Sequence, residues 1–224
     1  MNNNKNYMKS TNFKFDLFPF LCAIILIIYS CSDYKEIANK TIDILSQNVT
    51  EEVIGRYSNG QLKSADYYID SKLDRWRMYY EDGTLKKEKK YKNNNLDNDY
   101  EYTIYYEDGT LKEEMNYINK QAHGKYTSYY ENGKLKEEGN YSYNELDGRW
   151  ASFYNNGYLK EEKIYINGEK TGKHISYYKN GIVQKEQTYN NNGELNGKQI
   201  YYDRDGTITR TKYYKHGKLI KTES

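Results

Sequence analysis

The sequence predicts an all-β chain: an elongated, twisted antiparallel sheet of tandem β-hairpins, preceded by an N-terminal signal helix and a short polar tether. Three observations predict it. Asn-Gly or Asp-Gly pairs recur with their glycines at Gly60, Gly83, Gly109, Gly133, Gly157, Gly181 and Gly206, intervals of 23 to 26 residues that mark a repeated structural unit. A tyrosine stands eight residues after every one of these glycines, from Tyr68 to Tyr214. The composition supplies 29 tyrosines against 5 phenylalanines and a single proline, Pro19, so turns fall to Gly, Asn and Asp and any core to tyrosine rings with a few Leu and Ile.

Residues 1–30 form the first element. Lys5, Lys9 and Lys14 precede an apolar run from Leu17 to Tyr29. That run is shorter than the ~20 residues a membrane-spanning helix needs and suits the core of a signal peptide. It stops at Ile28-Tyr29-Ser30-Cys31, which resembles a bacterial lipobox, where a small residue precedes the cysteine that is acylated and becomes the first mature residue. The resemblance implies lipidation at Cys31 and a location at the bacterial cell envelope, lipid-anchored and outside the cytoplasm. An uncleaved anchor and an ordinary cleaved signal are the alternatives. Cys31 is the only cysteine after residue 30, so an exported chain has no internal disulfide to form.

Removing residues 1–30 takes away Lys5, Lys9, Lys14 and Asp16 and leaves equal numbers of acidic and basic residues. Without a basic excess the electrostatic driving force for non-specific nucleic-acid binding is missing, and DNA and RNA are not expected partners.

Residues 31–52 read as a polar tether, with Ile37, Ile42 and Leu45 at intervals that allow one short helix. Residues 53–224 hold the hairpin array. An Asn-Gly or Asp-Gly step between β-prone residues is read as a two-residue type I′ turn, with Gly83, Gly109, Gly133, Gly157 and Gly181 as its structural glycines. That turn places Tyr130 opposite Leu135, and Gly124, Gly148 and Gly172 opposite Tyr141, Tyr165 and Tyr189, with each ring expected flat over the glycine. Alternation then puts Tyr126, Trp150 and His174, the small Ser128, Ser152 and Ser176, and Tyr130, Tyr154 and Tyr178 on one face. The opposite face carries Tyr129, Phe153 and Tyr177 beside Lys136, Lys160 and Gln184, with Glu138, Glu162 and Glu186 further along in charge ladders. Leu, Glu and Tyr fall at steps of three, so a bulge would move the later positions to the other face. About 14 strands are expected, extending on the order of 65 Å.

The words YYEDGTLKEEMNY, YYENGKLKEEGNY and FYNNGYLKEEKIY, together with His123-Gly124-Lys125-Tyr126, resemble MORN repeats, specifically the shorter bacterial variant of YwqK-type proteins. The resemblance runs from about Gly55 to Leu219. It implies a surface rather than a pocket. It also implies an alternative role, because YwqK-type proteins are described as antitoxins or immunity-like proteins that bind a cognate toxin.

Residues with catalytic potential read as architecture. His123, His174 and His216 lie in different units without ligand-like spacing, so no metal and no cofactor are expected. Asp203-Arg204-Asp205-Gly206 and Asn191-Asn192-Gly193-Glu194 lack the twelfth-position glutamate of a calcium loop. The pairs Glu113-Glu114, Glu137-Glu138 and Glu161-Glu162 point to opposite faces of a strand and recur from unit to unit, unlike an active site. A repeated tyrosine row, by contrast, offers rigid amphipathic contact area, and Tyr129, Phe153 and Tyr177 are the candidate binding surface. The expected function is a membrane-anchored scaffold, not an enzyme, that binds a protein or envelope polymer. The antitoxin or envelope immunity role is the alternative, and an enzyme of envelope polymers the third reading.

Overall fold

The computed structural model describes residues 48–92 and 98–224. The expected signal helix, the acylated Cys31 and the tether helix lie outside the described residues. Sixteen strands follow in chain order. They are β1 (Val49–Arg56), β2 (Leu62–Ile69), β3 (Lys72–Tyr79), β4 (Leu85–Tyr91), β5 (Tyr100–Tyr105), β6 (Leu111–Ile118), β7 (Gln121–Tyr129) and β8 (Leu135–Ser142). The remainder are β9 (Glu145–Leu146), β10 (Gly148–Phe153), β11 (Leu159–Ile166), β12 (Glu169–Tyr177), β13 (Val183–Tyr189), β14 (Leu195–Tyr202), β15 (Ile208–Lys215) and β16 (Lys218–Glu223). They form one open antiparallel sheet in which each strand pairs with its chain neighbours; only the two-residue β9 sits off the path, on β8. Strand separations of ~4.8 Å make the array on the order of 70 Å long. The first strand opens at Val49, ahead of the expected start at Val53.

The turns depart from expectation. At Asn132-Gly133 the Gly133 amide donates to the Tyr130 carbonyl (2.9 Å) and the Tyr130 amide to the Lys134 carbonyl (2.8 Å). Only Gly133 has positive φ, 76°. This is a three-residue loop, a type I turn closed by a glycine bulge, and not the two-residue type I′ turn. The same hydrogen bonds recur at Gly60, Gly83, Gly109, Gly157, Gly181 and Gly206. Asn132 sits in the turn because its Oδ1 accepts from the Lys134 amide at 3.1 Å. Type I′ turns do occur, at the other end of the strands: Asp70-Ser71, Asn119-Lys120, Tyr143-Asn144, Asn167-Gly168 and His216-Gly217 have positive φ at both residues.

The extra loop residue changes the register next to it. Leu135 pairs with Tyr129, not Tyr130, and Ser128 pairs with Glu137, so Lys136 is bulged out of the ladder. Beyond the bulge the expected pairs Gly124 with Tyr141, Gly148 with Tyr165 and Gly172 with Tyr189 are present. Gly124 nevertheless carries no ring. A Cβ there would meet nothing within 4 Å, and its φ of 87° shows that the glycine serves the backbone. It does so where the pairing of β7 with β6 slips between Met115 and Tyr117. The ring lying flat on a glycine is found instead at Gly139, where a Cβ would collide with the Trp150 indole.

A single-layer sheet has no enclosed core. Among the described residues buried apolar side chains are few, chiefly Ala65, Tyr100, Met115, Ala122, Ala151 and Tyr165, and no large side chain is fully buried. The face that carries Trp76 and Trp150 is held by rings in contact from strand to strand. Tyr126 stacks on Trp150 at 5.3 Å and 13°, Tyr141 meets Trp150 edge-on at 5.7 Å, and Tyr100 stacks on Tyr117 at 4.7 Å. His174, 3 % exposed, lies between Tyr165 and Tyr189, with its Nε2 2.9 Å from the Ile164 carbonyl oxygen. Burial is the first cause holding its pKa below the ordinary imidazole value.

Candidate functional site

Tyr129, Phe153 and Tyr177 lie on the face opposite the tryptophans, at matching positions of β7, β10 and β12. Each pairs with an aliphatic residue on the next strand: Leu135, Leu159 and Val183. Tyr79 with Leu85, Tyr105 with Leu111 and Tyr202 with Ile208 continue the row in both directions. The neighbours are therefore aliphatic residues rather than the expected Lys136, Lys160 and Gln184, because the bulge removes those residues from the ladder. Every ring of the row is half-buried, and matching positions recur at two strand separations, ~9.6 Å.

What fixes this pitch is a contact the sequence reading missed. The tyrosine three residues before each turn glycine reaches into the following repeat and donates to the backbone carbonyl of the row residue there. Tyr106 donates to Tyr129 at 2.8 Å, Tyr130 to Phe153 at 2.7 Å and Tyr154 to Tyr177 at 2.7 Å. Tyr57 to Tyr79, Tyr80 to Tyr105 and Tyr178 to Tyr202 complete the series, which stops where Asp203 takes the tyrosine's place. The bulged lysines lie over these rings, Lys112 on Tyr106 at 5.1 Å and Lys136 on Tyr130 at 5.9 Å. The sequence signal was present in the recurrence of that tyrosine at one offset in every unit but the last, but alternation assigned it to the core opposite Leu135.

Beside the aromatic row runs a line of glutamates. Glu114 pairs with Thr103 and Thr127, Glu138 with Thr127 and Ala151, and Glu162 with Ala151 and Ile175. Arg149 bridges two repeats, with Nη1 2.8 Å from Glu138 and Nε on Glu162, and these hydrogen bonds raise its pKa. Lys173 pairs with Glu186 at 2.9 Å and Arg77 with Glu88 at 2.6 Å. The charge ladders are thus built from residues other than the expected Lys136 and Lys160. Where the floor is formed by the small Thr103 and Thr127, a shallow depression opens between Glu101, Glu114, Asn116 and Lys125.

Gly83, Gly109, Gly133, Gly157 and Gly181 sit at the bulge position of their turns with φ between 76° and 94°. Glu137 pairs with Ser128 and Glu138 with Thr127, on opposite faces. Among the described residues no three His, Cys, Asp or Glu side chains are grouped to hold a metal ion.

The family described as MORN repeat variant matches six tandem segments, residues 75–93, 101–119, 122–143, 146–167, 170–191 and 195–216, more than half of the chain. No curated protein matches the chain. Among solved structures, the crystal structure of TarM is similar over 60 % of this chain at 12 % identity and a TM-score of 0.28; the match spans 23 % of the TarM chain.

Proposed function

The chain belongs to the MORN repeat variant family, and on that premise we propose that it is a non-catalytic binding scaffold, tethered to the bacterial envelope through an acylated Cys31 and holding a protein or envelope polymer outside the cytoplasm. MORN repeats are commonly modules of protein or membrane interaction. The observation that carries the reading is the row of Tyr129, Phe153 and Tyr177, half-buried rings beside aliphatic partners that return at a constant interval set by the Tyr106, Tyr130 and Tyr154 hydroxyls. An array of identical contacts suits a long or repetitive partner, because each further contact forms at high effective concentration. The glutamate pairs, split between faces and repeated, favour a surface over an active site.

Two experiments test the reading. Labelled fatty acid enters the intact protein and is absent from Cys31→Ala. Membrane extracts passed over the protein leave a bound partner that the combined Tyr129→Ala, Phe153→Ala and Tyr177→Ala variant, folded by circular dichroism, does not retain. Equal retention by that variant contradicts the assignment of the row. If the protein rescues cells from a toxin encoded beside it, the scaffold is an envelope immunity protein.

A further inference from the structure

The tryptophan face carries a second periodic feature, separate from the Tyr129 row. Across six strands, β6 to β12, the paired residues read Glu113, Ser128, Glu137, Ser152, Glu161, Ser176. Lys87 lies beyond Glu113 and Lys185 beyond Ser176, so the acidic stretch has defined ends. The serines form the floor: Ser128 is 6 % and Ser152 9 % exposed. Two residues to one side stand the rings of Tyr126 and Trp150, stacked on each other. Two residues to the other stand Tyr130 and Tyr154, pinned by their hydroxyls. Four residues of strand separate these walls, ~13 Å, so the row is a trough.

The trough is chemically incomplete. Glu113 and Glu137 make no hydrogen bond or ion pair among the described residues, although ten ion pairs occur elsewhere. Glu161 is held by Lys163 at 2.6 Å. The lysines nearest Glu113 are Lys87, Lys112 and Lys136, and they lie over Tyr102, Tyr106 and Tyr130 rather than on the carboxylates. Burial first, then the neighbouring Glu137, push the Glu113 carboxyl above the ordinary carboxylate range while those lysines oppose the shift. Ser152 Oγ, buried between Glu137 and Glu161, has no hydrogen-bond partner among the described residues. Buried polar groups in native proteins are nearly always satisfied, so an orphan hydroxyl between carboxylates points to a group that arrives from outside.

We propose that the trough binds an extended peptide in the polyproline II conformation with a lysine or arginine at every third residue. Charge and spacing both select it. Carboxylates on alternate strands recur every ~9.6 Å. A polyproline II chain turns once in three residues and rises ~9.3 Å as it does so, which brings each third side chain to the same side at the same pitch. Such a chain has no internal hydrogen bonds, leaving its carbonyls free for Ser152 Oγ, and it docks in grooves walled by aromatic rings. A single metal ion cannot take its place, because coordinating oxygens must lie within ~2.6 Å of one point. This site rests on the scaffold reading only in that the sheet is a binding surface; it uses the other face.

The test uses the protein with three probes: a peptide of three Lys-Pro-Pro triplets, a peptide of the same composition with its lysines adjacent, and spermidine. Tryptophan fluorescence from Trp150 reports binding. The triplet peptide is expected to bind at least about tenfold more tightly than the other two, and Glu113→Gln with Glu137→Gln to weaken it by about tenfold. Both glutamines preserve shape, and unchanged circular dichroism excludes unfolding. The combined Tyr129→Ala, Phe153→Ala and Tyr177→Ala variant keeps full affinity for the triplet peptide, whether or not it loses the membrane partner. Equal affinity for the two peptides, equal affinity for spermidine, or binding indifferent to the paired glutamine substitutions overturns the proposal.

Discussion

Strands β10 and β16 are each six residues long and sit in opposite surroundings. In β10, Ala151 is fully buried, Ser152 nearly so, and Trp150 stacks on Tyr126 and meets Tyr141 edge-on while covering Gly139. In β16 every residue is exposed, Leu219 by 53 % and Ile220 by 63 %. Its side-chain ties are few, chiefly the hydrogen bond from Tyr213 to Glu223 at 2.7 Å. The first strand, β1, is nearly as bare, with Val49 and Ile54 exposed. The difference is the number of flanking strands, two for β10 and one for β16. In a single-layer array burial is something a repeat receives from its neighbours, so stability is a sum over interfaces and the ends receive half.

Substitutions matched between centre and end test that comparison. The largest effect is expected for Trp150→Ala, about 3 kcal/mol lost in urea unfolding because two ring contacts and the cover of Gly139 go together. Leu219→Ala at the end should stay within about 0.5 kcal/mol. Gly139→Ala drives a methyl into the Trp150 ring and is expected to cost about 2 kcal/mol, whereas Gly55→Ala on β1, 3.6 Å from Ser64 Oγ, is expected to be near neutral by the same assay. Tyr130→Phe removes the donor to Phe153 and should cost about 1 kcal/mol. Tyr213→Phe, with its partner exposed, should cost less.

The smallest effect is a pH slope. His174 is held neutral in the folded chain, its pKa lowered by burial, while the unfolded imidazole titrates near 6.5. Below that value the unfolded chain takes up a proton that the folded chain refuses, so stability falls as pH drops through the window beneath about 6.5. Melting temperatures measured across this window should lose that slope in His174→Gln; a slope of the same size in the variant would assign it to other groups.

The repeat itself was legible in the sequence because a glycine and a tyrosine at fixed offsets determine which residues pair: Gly124 with Tyr141 follows from spacing alone. The turn was not. Asn-Gly suits a type I′ corner and equally a type I turn whose glycine alone has positive φ, and the choice depends on Glu131 joining the loop. The ensuing bulge at Lys136 reversed the partner of Leu135, a break already visible as the three-residue steps from Leu to Glu to Tyr. The candidate row of Tyr129, Phe153 and Tyr177 could be drawn by alternation, but its aliphatic neighbours could not, since they depend on the bulge. The Tyr130 hydroxyl on Phe153 was out of reach for a different reason: alternation describes one strand and carries no information about the next repeat. The trough of Glu113 and Glu137 was half legible, its serines forming the small rung between large ones while its carboxylates were read only as members of repeated Glu-Glu pairs.

The central claim is that hairpins stack in one dimension and each is held by the next. Hydrogen exchange of the backbone amides, resolved strand by strand, tests it most directly. The account predicts protection greatest from β7 to β12 and falling stepwise toward β1 and β16. Uniform protection along the chain, or amides in β16 as slow as those in β10, would contradict it.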